Sequence, residues 1–278
     1  MNVLTKQFLA TGKQLDFVSG RQQALSTINF DVEQATKGLI PKLLEEIDPL
    51  TKVILVNAIY FKGLWAAQFD KNFTNEAGEF RKTNGQLVKV PLMFKKKKFP
   101  YYYDETTKAK LVQLDYKSGG NISMVLVLPD EGVSLTSYIK NHFTNDTILQ
   151  SLDRLESFDD VNLTLPRFKV SSTHYLVPTL QLLGIREVFG PGANLSKVSP
   201  NHEQLYVSEV IQKAVIEVNE EGTEAAAATS IMMRTLMLAP EQQFRADRPF
   251  LYMLVAKHGQ KQARQILFVG VVEDPTEN

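Results

Sequence analysis

Cysteine is absent from this 278-residue chain. That excludes disulfides, thiolate catalysis and cysteine-based zinc sites. Charge of either sign in excess is also missing, with 31 Lys+Arg against 31 Asp+Glu. A neutral balance gives no reason to expect a nucleic acid or an anionic membrane surface as partner, and no apolar run is long enough to span a bilayer. Histidine is scarce: His142, His174, His202 and His258 are scattered, with none at metal-ligand spacing. A Gly-x-Ser-x-Gly elbow is absent. The one adjacent glycine pair, Gly119-Gly120, completes no phosphate-binding fingerprint and reads as a turn between strands. No metal, cofactor or catalytic constellation is expected, and nothing marks the chain as an enzyme.

What is present is an ordinary core-forming composition, 44% hydrophobic and 22% charged. Neither internal repeats nor low-complexity linkers break it, so residues 1–278 read as one domain. Apolar positions spaced three and four apart predict a helix over Arg21 to Lys37, ended by Gly38 and Pro41. Val53 to Phe61 is apolar on both faces and predicts a fully covered central strand. Further strands are expected at 86–94, 109–116, 122–128, 160–170, 205–218, 250–256 and 265–272. Helices are expected at 135–155, with a break, and at 175–183, stopped by Gly184. The basic run Lys95-Lys96-Lys97-Lys98, close to Tyr101-Tyr102-Tyr103, reads as a solvated turn between strands. Mostly antiparallel pairing with interspersed helices makes the class α+β.

One stretch resists this reading. Glu220-Glu221-Gly222-Thr223-Glu224-Ala225-Ala226-Ala227-Ala228-Thr229-Ser230 has helix-forming composition. It nevertheless follows the β-branched, alternating Val215-Ile216-Glu217-Val218 and leads into Ile231 to Met237, a partly apolar run with no turn residue.

Taken together, several motifs resemble the serpin family of serine protease inhibitors: VNAIYFKGLW (Val56 to Trp65) with Phe69-Asp70, VKVPLM (Val88 to Met93), LVLPDEG (Leu126 to Gly132), LTLPRFKV (Leu163 to Val170), LLGIREVF (Leu182 to Phe189), VIEVNEEGTEAAAATS (Val215 to Ser230), FRADRPFLY (Phe244 to Tyr252) and ILFVGVVEDP (Ile266 to Pro275). They stand in the family's order and cover nearly the whole chain. The resemblance implies three β-sheets surrounded by helices and an exposed reactive-centre loop at about 220–243. It also implies suicide-substrate trapping of a serine protease: the loop is cleaved and inserts into the main sheet. Glu220, Gly222, Thr223, Glu224, Ala225, Ala226, Ala227, Ala228 and Thr229 then form the hinge. Strand alternation puts Thr223, Ala225, Ala227 and Thr229 on one face, and side chains this small limit overpacking during insertion.

The family's usual spacing places the reactive bond at Leu236–Met237, which suits a chymotrypsin-like or cathepsin G-like protease. Arg234 would suit a trypsin-like one in a different register. Trp65 and Arg167 are implied at the top of the main sheet, with Glu220 as partner of Arg167 in an exposed pair. Asn57 matches a central-strand position whose family partner is often histidine; here that position is Gln212. The resemblance further implies a monomer without the family's first helices, since the chain starts near the fifth. A non-inhibitory binding protein or inert short isoform is the alternative. Sequons at Asn72, Asn121, Asn145, Asn162 and Asn194 suggest a secreted, extracellular glycoprotein, although no signal peptide is visible at Met1.

Overall fold

A computed structural model describes residues 6, 10–118, 121–155, 158–198, 205–221, 241–258 and 263–277. Contacts group the chain into two compact units. The first contains residues up to Phe61 together with Ser171–Ile216, and the second contains Lys62–Val170 together with Glu217 onward.

In the first unit, β1 (Val53–Phe61), β8 (Val207–Val218) and β7 (Phe168–Tyr175) form a three-stranded sheet in the order β1-β8-β7. β1 and β8 run parallel, in register from Val53↔Val207 to Phe61↔Ile216, with Asn57 opposite Gln212. Helix α1 (Arg21–Ala35) buries Ala24 and Val32 against Ile211 and Val215 of β8, and the following segment adds Ile40, Leu43, Leu44 and Ile47. Each such side chain contributes roughly 1.5–3 kcal/mol when fully buried. That segment is irregular, yet its backbone is satisfied: the Leu43 and Leu44 amides donate to Asn29 Oδ1, and Asn29 Nδ2 donates to the Leu44 carbonyl. α1 stops where Lys37 and Gly38 take positive φ.

β1 is neither central nor fully covered, contrary to expectation: it stands at the edge of the sheet formed by the described residues. Ile54, Ala58 and Tyr60 pack on the unit's core, but Leu55 and Val56 are 49% and 39% exposed. Leu55 faces away from Ile54 and Ala58, whereas Val56 shares their face and is open all the same, so apolar residues on a face do not establish that it is covered.

The second unit is built on an eight-stranded sheet in the order β11-β10-β5-β4-β3-β6-β9, with β2 pairing to β3. Its strands are β2 (Asn75–Arg81), β3 (Leu87–Asp104), β4 (Ala109–Asp115), β5 (Ile122–Pro129), β6 (Phe158–Pro166), β9 (Gln242–Arg245), β10 (Phe250–His258) and β11 (Ala263–Val272). β6 and β9 are parallel, and the other pairs are antiparallel. β3 is 18 residues long. Its first part pairs with β2 and β6, and its last residues pair with β4. The three sheets expected are thus the three-stranded one and two joined through β3. Helices α2 (Leu135–His142) and α3 (Asn145–Asp153) cover β4, β5 and β10 through Tyr138, Ile148 and Leu152. A short helix, α4 (Val177–Leu182), ends at Gly184, whose φ is +94°.

The lysine run is not a turn. Lys95 to Lys98 lie inside β3, paired with Leu163 to Asp160 of β6. The strand tolerates them because three are exposed and Lys95 is half-buried with a partner. Gly119-Gly120 lies outside the described residues.

Candidate functional site at the end of strand β8

β6 ends at Pro166, which has no N–H for a ladder, and β7 begins at Phe168. Val161, Leu163 and Leu165 are buried on one phase, and Phe168 is buried on the other. Arg167 sits at that change of phase, its own amide donating to the Pro91 carbonyl at 2.9 Å.

β8 ends at Val218, and the three residues after it are held by their backbone carbonyls. Trp65 Nε1 donates to the Asn219 carbonyl at 2.8 Å. The Phe69 amide donates to the Glu220 carbonyl at 2.9 Å, and the Trp65 amide to the Glu221 carbonyl at 3.4 Å. Gln68 Nε2 donates to that same Glu221 carbonyl at 3.1 Å. Asn219 Oδ1 accepts from the Glu221 amide, forming a side-chain turn that redirects the chain as it leaves the strand.

Trp65 can serve as a fixed donor because it is buried to 1% exposure. It stacks on Tyr116 at 4.3 Å between ring centroids and meets the edge of Phe69 at 6.3 Å. Burial and the neighbouring Tyr252 push the Tyr116 hydroxyl well above its ordinary pKa, so it stays neutral.

The side chains complete the lock. Arg167 Nη2 and Nε donate to the two oxygens of Glu220 at 2.6 and 3.2 Å. Thr74 Oγ1 donates to Glu220 at 2.9 Å, and Arg167 Nη2 also reaches Glu76 at 3.3 Å. The pair is not exposed as expected, since the Glu220 side chain is only 3% accessible against 38% for Arg167. Burial by itself would raise the Glu220 pKa. The Arg167 hydrogen bonds, the backbone amide and Thr74 outweigh it and hold the carboxyl below its usual range. The Glu220 hydrogen bond conversely raises Arg167. Beside it, Lys71 pairs with Glu221 at 2.5 Å.

The structure therefore brings Trp65, Arg167 and Glu220 to one place, while Asn57 and Gln212 are neighbours elsewhere, on β1 and β8. Gly222, Thr223, Glu224, Ala225, Ala226, Ala227, Ala228, Thr229, Arg234, Leu236 and Met237 lie outside the described residues. Gln68, Phe69, Thr74, Glu76 and Tyr116 were not expected at the site. Only Phe69 carried a sequence signal, as part of the quoted Phe69-Asp70 motif. No group of His, Cys, Asp and Glu among the described residues has the arrangement of a metal site.

A family model described as Serpin (serine protease inhibitor) matches residues 1–275. Leukocyte elastase inhibitor from cattle (Bos taurus) is 38% identical over 283 residues, covering 97% of this chain and 73% of that protein. Among solved structures, mouse protein Z-dependent protease inhibitor is 31% identical with a TM-score of 0.83, covering 99% of this chain and 69% of that one. Human thyroxine-binding globulin in complex with thyroxine is 30% identical with a TM-score of 0.85, covering 99% and 70%.

These relatives correct the expectation of an extracellular, secreted glycoprotein. The leukocyte elastase inhibitors that this chain resembles are intracellular serpins lacking signal peptides. A sequon is in any case only local spacing and does not report whether the amide is free. The Asn162 nitrogen, for one, is occupied, donating to Glu241 at 2.9 Å from a half-buried strand position.

Proposed function

Because the chain belongs to the serpin family, we propose that it traps its target serine protease by letting the reactive-centre loop at about 220–243 be cut and then inserting the part that starts at Gly222 between β1 and β8. It is a protease inhibitor and not an enzyme.

The observation that carries this reading is the direct parallel pairing of β1 with β8, together with the point where β8 ends. The reactive-centre loop follows the end of β8, whose neighbour on the proposed insertion side is β1. A segment turning back from that end runs antiparallel to both strands. Insertion replaces one parallel ladder with two antiparallel ones, which are somewhat more stable per residue. In the inserted strand Thr223, Ala225, Ala227 and Thr229 would share the inward face, and their small volume would let that strand enter a packed layer. Gly222 supplies the backbone freedom for the swing.

In the covalent step the protease serine attacks the Leu236 carbonyl. The Leu236–Met237 bond breaks, the new amine of Met237 takes up a proton, and Leu236 remains as an ester on the protease. Insertion then carries the ester away and distorts the protease before water can release it. The inhibitor supplies no catalytic group; it supplies a metastable fold held by a barrier.

Leu236 favours a chymotrypsin-like, cathepsin G-like or elastase-type pocket that accepts apolar residues, and Arg234 offers a trypsin-like alternative. The fold alone does not decide between inhibitor and carrier, since a thyroxine-binding globulin shares it. The hinge composition, with its consecutive small residues, supports the inhibitor over the carrier.

The test is incubation with chymotrypsin, cathepsin G, leukocyte elastase and trypsin, followed by a denaturing gel and mass analysis. A covalent adduct with a cut at Leu236–Met237 is expected. Cutting without any adduct would favour the non-inhibitory binding protein.

A further inference from the structure

Lys95 is half-buried within β3, and its Nζ donates to the backbone carbonyl of Gln68. Gln68 is the middle of the segment that grips the hinge: its side chain holds the Glu221 carbonyl, and the next amide, Phe69, holds that of Glu220. Asp70, two residues on, faces the same ammonium electrostatically and caps the following turn through the Asn72 amide. Lys96 leaves the strand toward Glu241, so the side chains of this run are not equivalent.

We propose that Lys95 is a positioning residue for loop insertion. It fixes the segment 65–70 to β3 and, acting through Gln68, sets how readily the carbonyls of Glu220 and Glu221 are released when the hinge begins to enter the sheet. This rests on the trapping mechanism above. Three features favour the assignment. The contact joins a charged donor to a backbone acceptor, the stronger kind of hydrogen bond. It is shielded on the half-buried side, where such a bond resists competition from water. And Lys95 touches neither Glu220 nor Glu221, so its effect must pass through the clamp.

The test compares parent, Lys95→Met, Gln68→Ala and the double variant for two readouts after protease addition. One is the rate of the Trp65 fluorescence change; the other is the ratio of covalent adduct to cleaved, released inhibitor. Loss of one charge-assisted hydrogen bond should speed insertion in Lys95→Met by roughly three- to tenfold and raise the adduct fraction. Gln68→Ala should act in the same direction, and the double variant should fall short of the product of the two effects, as expected for residues acting in series. Lys95→Arg, which keeps a cationic donor, should stay near the parent.

Lys95→Met at the parental rate, a double variant that multiplies the single effects, or Lys95→Arg behaving like Lys95→Met would each overturn the assignment. If Lys95→Met does not fold, hydrogen exchange of the Phe69 amide in Lys95→Gln decides: faster exchange than in the parent supports the tether, and unchanged exchange removes it. Failure of the trapping mechanism itself looks different, since the parent would then give no adduct with any protease.

Discussion

Arg167 grips the carboxylate of Glu220 with two nitrogens, Nη2 and Nε, at 2.6 and 3.2 Å, and the carboxylate is almost wholly buried while the guanidinium remains partly open to water. The two halves of the pair are therefore not equivalent. Glu220 depends on Arg167 to remain charged, whereas Arg167 has solvent and Glu76 as further partners.

Removing the cation should accordingly cost more than removing the pair. Arg167→Met leaves a buried carboxylate with only Thr74 and backbone donors, at a cost of about 1–3 kcal/mol. Arg167→Met combined with Glu220→Gln should recover most of that loss. Urea denaturation of the parent, both single variants and the double variant measures the difference.

The pair also sets an acid limit. The folded carboxyl of Glu220 is held below its unfolded value. Its stabilising contribution is therefore fully present above the unfolded range near pH ~4.3, and it is lost as pH falls through the lowered folded value. In Arg167→Met, burial prevails and raises the carboxyl instead. That variant's deficit should be largest at neutral pH and shrink as pH falls, first through the raised value of the variant and then through the lowered value of the parent. Stability profiles of parent and variant between neutral and acid pH should converge. Parallel profiles would mean that Glu220 is not the group involved.

Trp65 is the sole tryptophan, and it bonds directly to the residue preceding the hinge glutamates. Its emission should be steady in the intact inhibitor and shift once, together with loop cleavage, as the Asn219 contact is lost. Trp65→Phe should abolish the signal and destabilise the intact fold by roughly 1–3 kcal/mol, through the lost buried donor and ring contacts.

Gly270 faces Tyr252 across β10 and β11, and a Cβ placed there would stand 2.3 Å from the Tyr252 hydroxyl. Tyr252 is buried and cannot swing clear. Gly270→Ala should lower stability by about 1–3 kcal/mol. Gly270→Ala combined with Tyr252→Phe should recover part of that loss, since the hydroxyl is the nearest clash.

How much of this was legible before the structure differs from residue to residue. Spacing located α1, β1, β8 and the C-terminal strand pair, because long periodic or apolar segments dominate their local choice. It misplaced Lys95 to Lys98, because four charges in a row look like solvated loop. Their real setting depends on β6, more than sixty residues further along the chain. It overstated the cover on Leu55 and Val56, since composition reports that a face is apolar but not that another element lies on it. Arg167 and Glu220, 53 residues apart, were paired only through family resemblance. Burial of the carboxylate, and the contributions of Thr74 and Glu76, follow from three-dimensional packing that no local pattern encodes. The parallel pairing of β6 with β9 was equally invisible, because β9 is only four residues long.

The most direct measurement is the melting temperature of the chain after a single cut in the reactive-centre loop at about 220–243, compared with that of the intact chain. Insertion of residues 222–230 as a strand between β1 and β8 should raise the melting temperature, with mass analysis placing the cut at Leu236–Met237. A cut chain that melts where the intact one does, with residues 222–230 still open to further proteolysis, would contradict trapping by strand insertion.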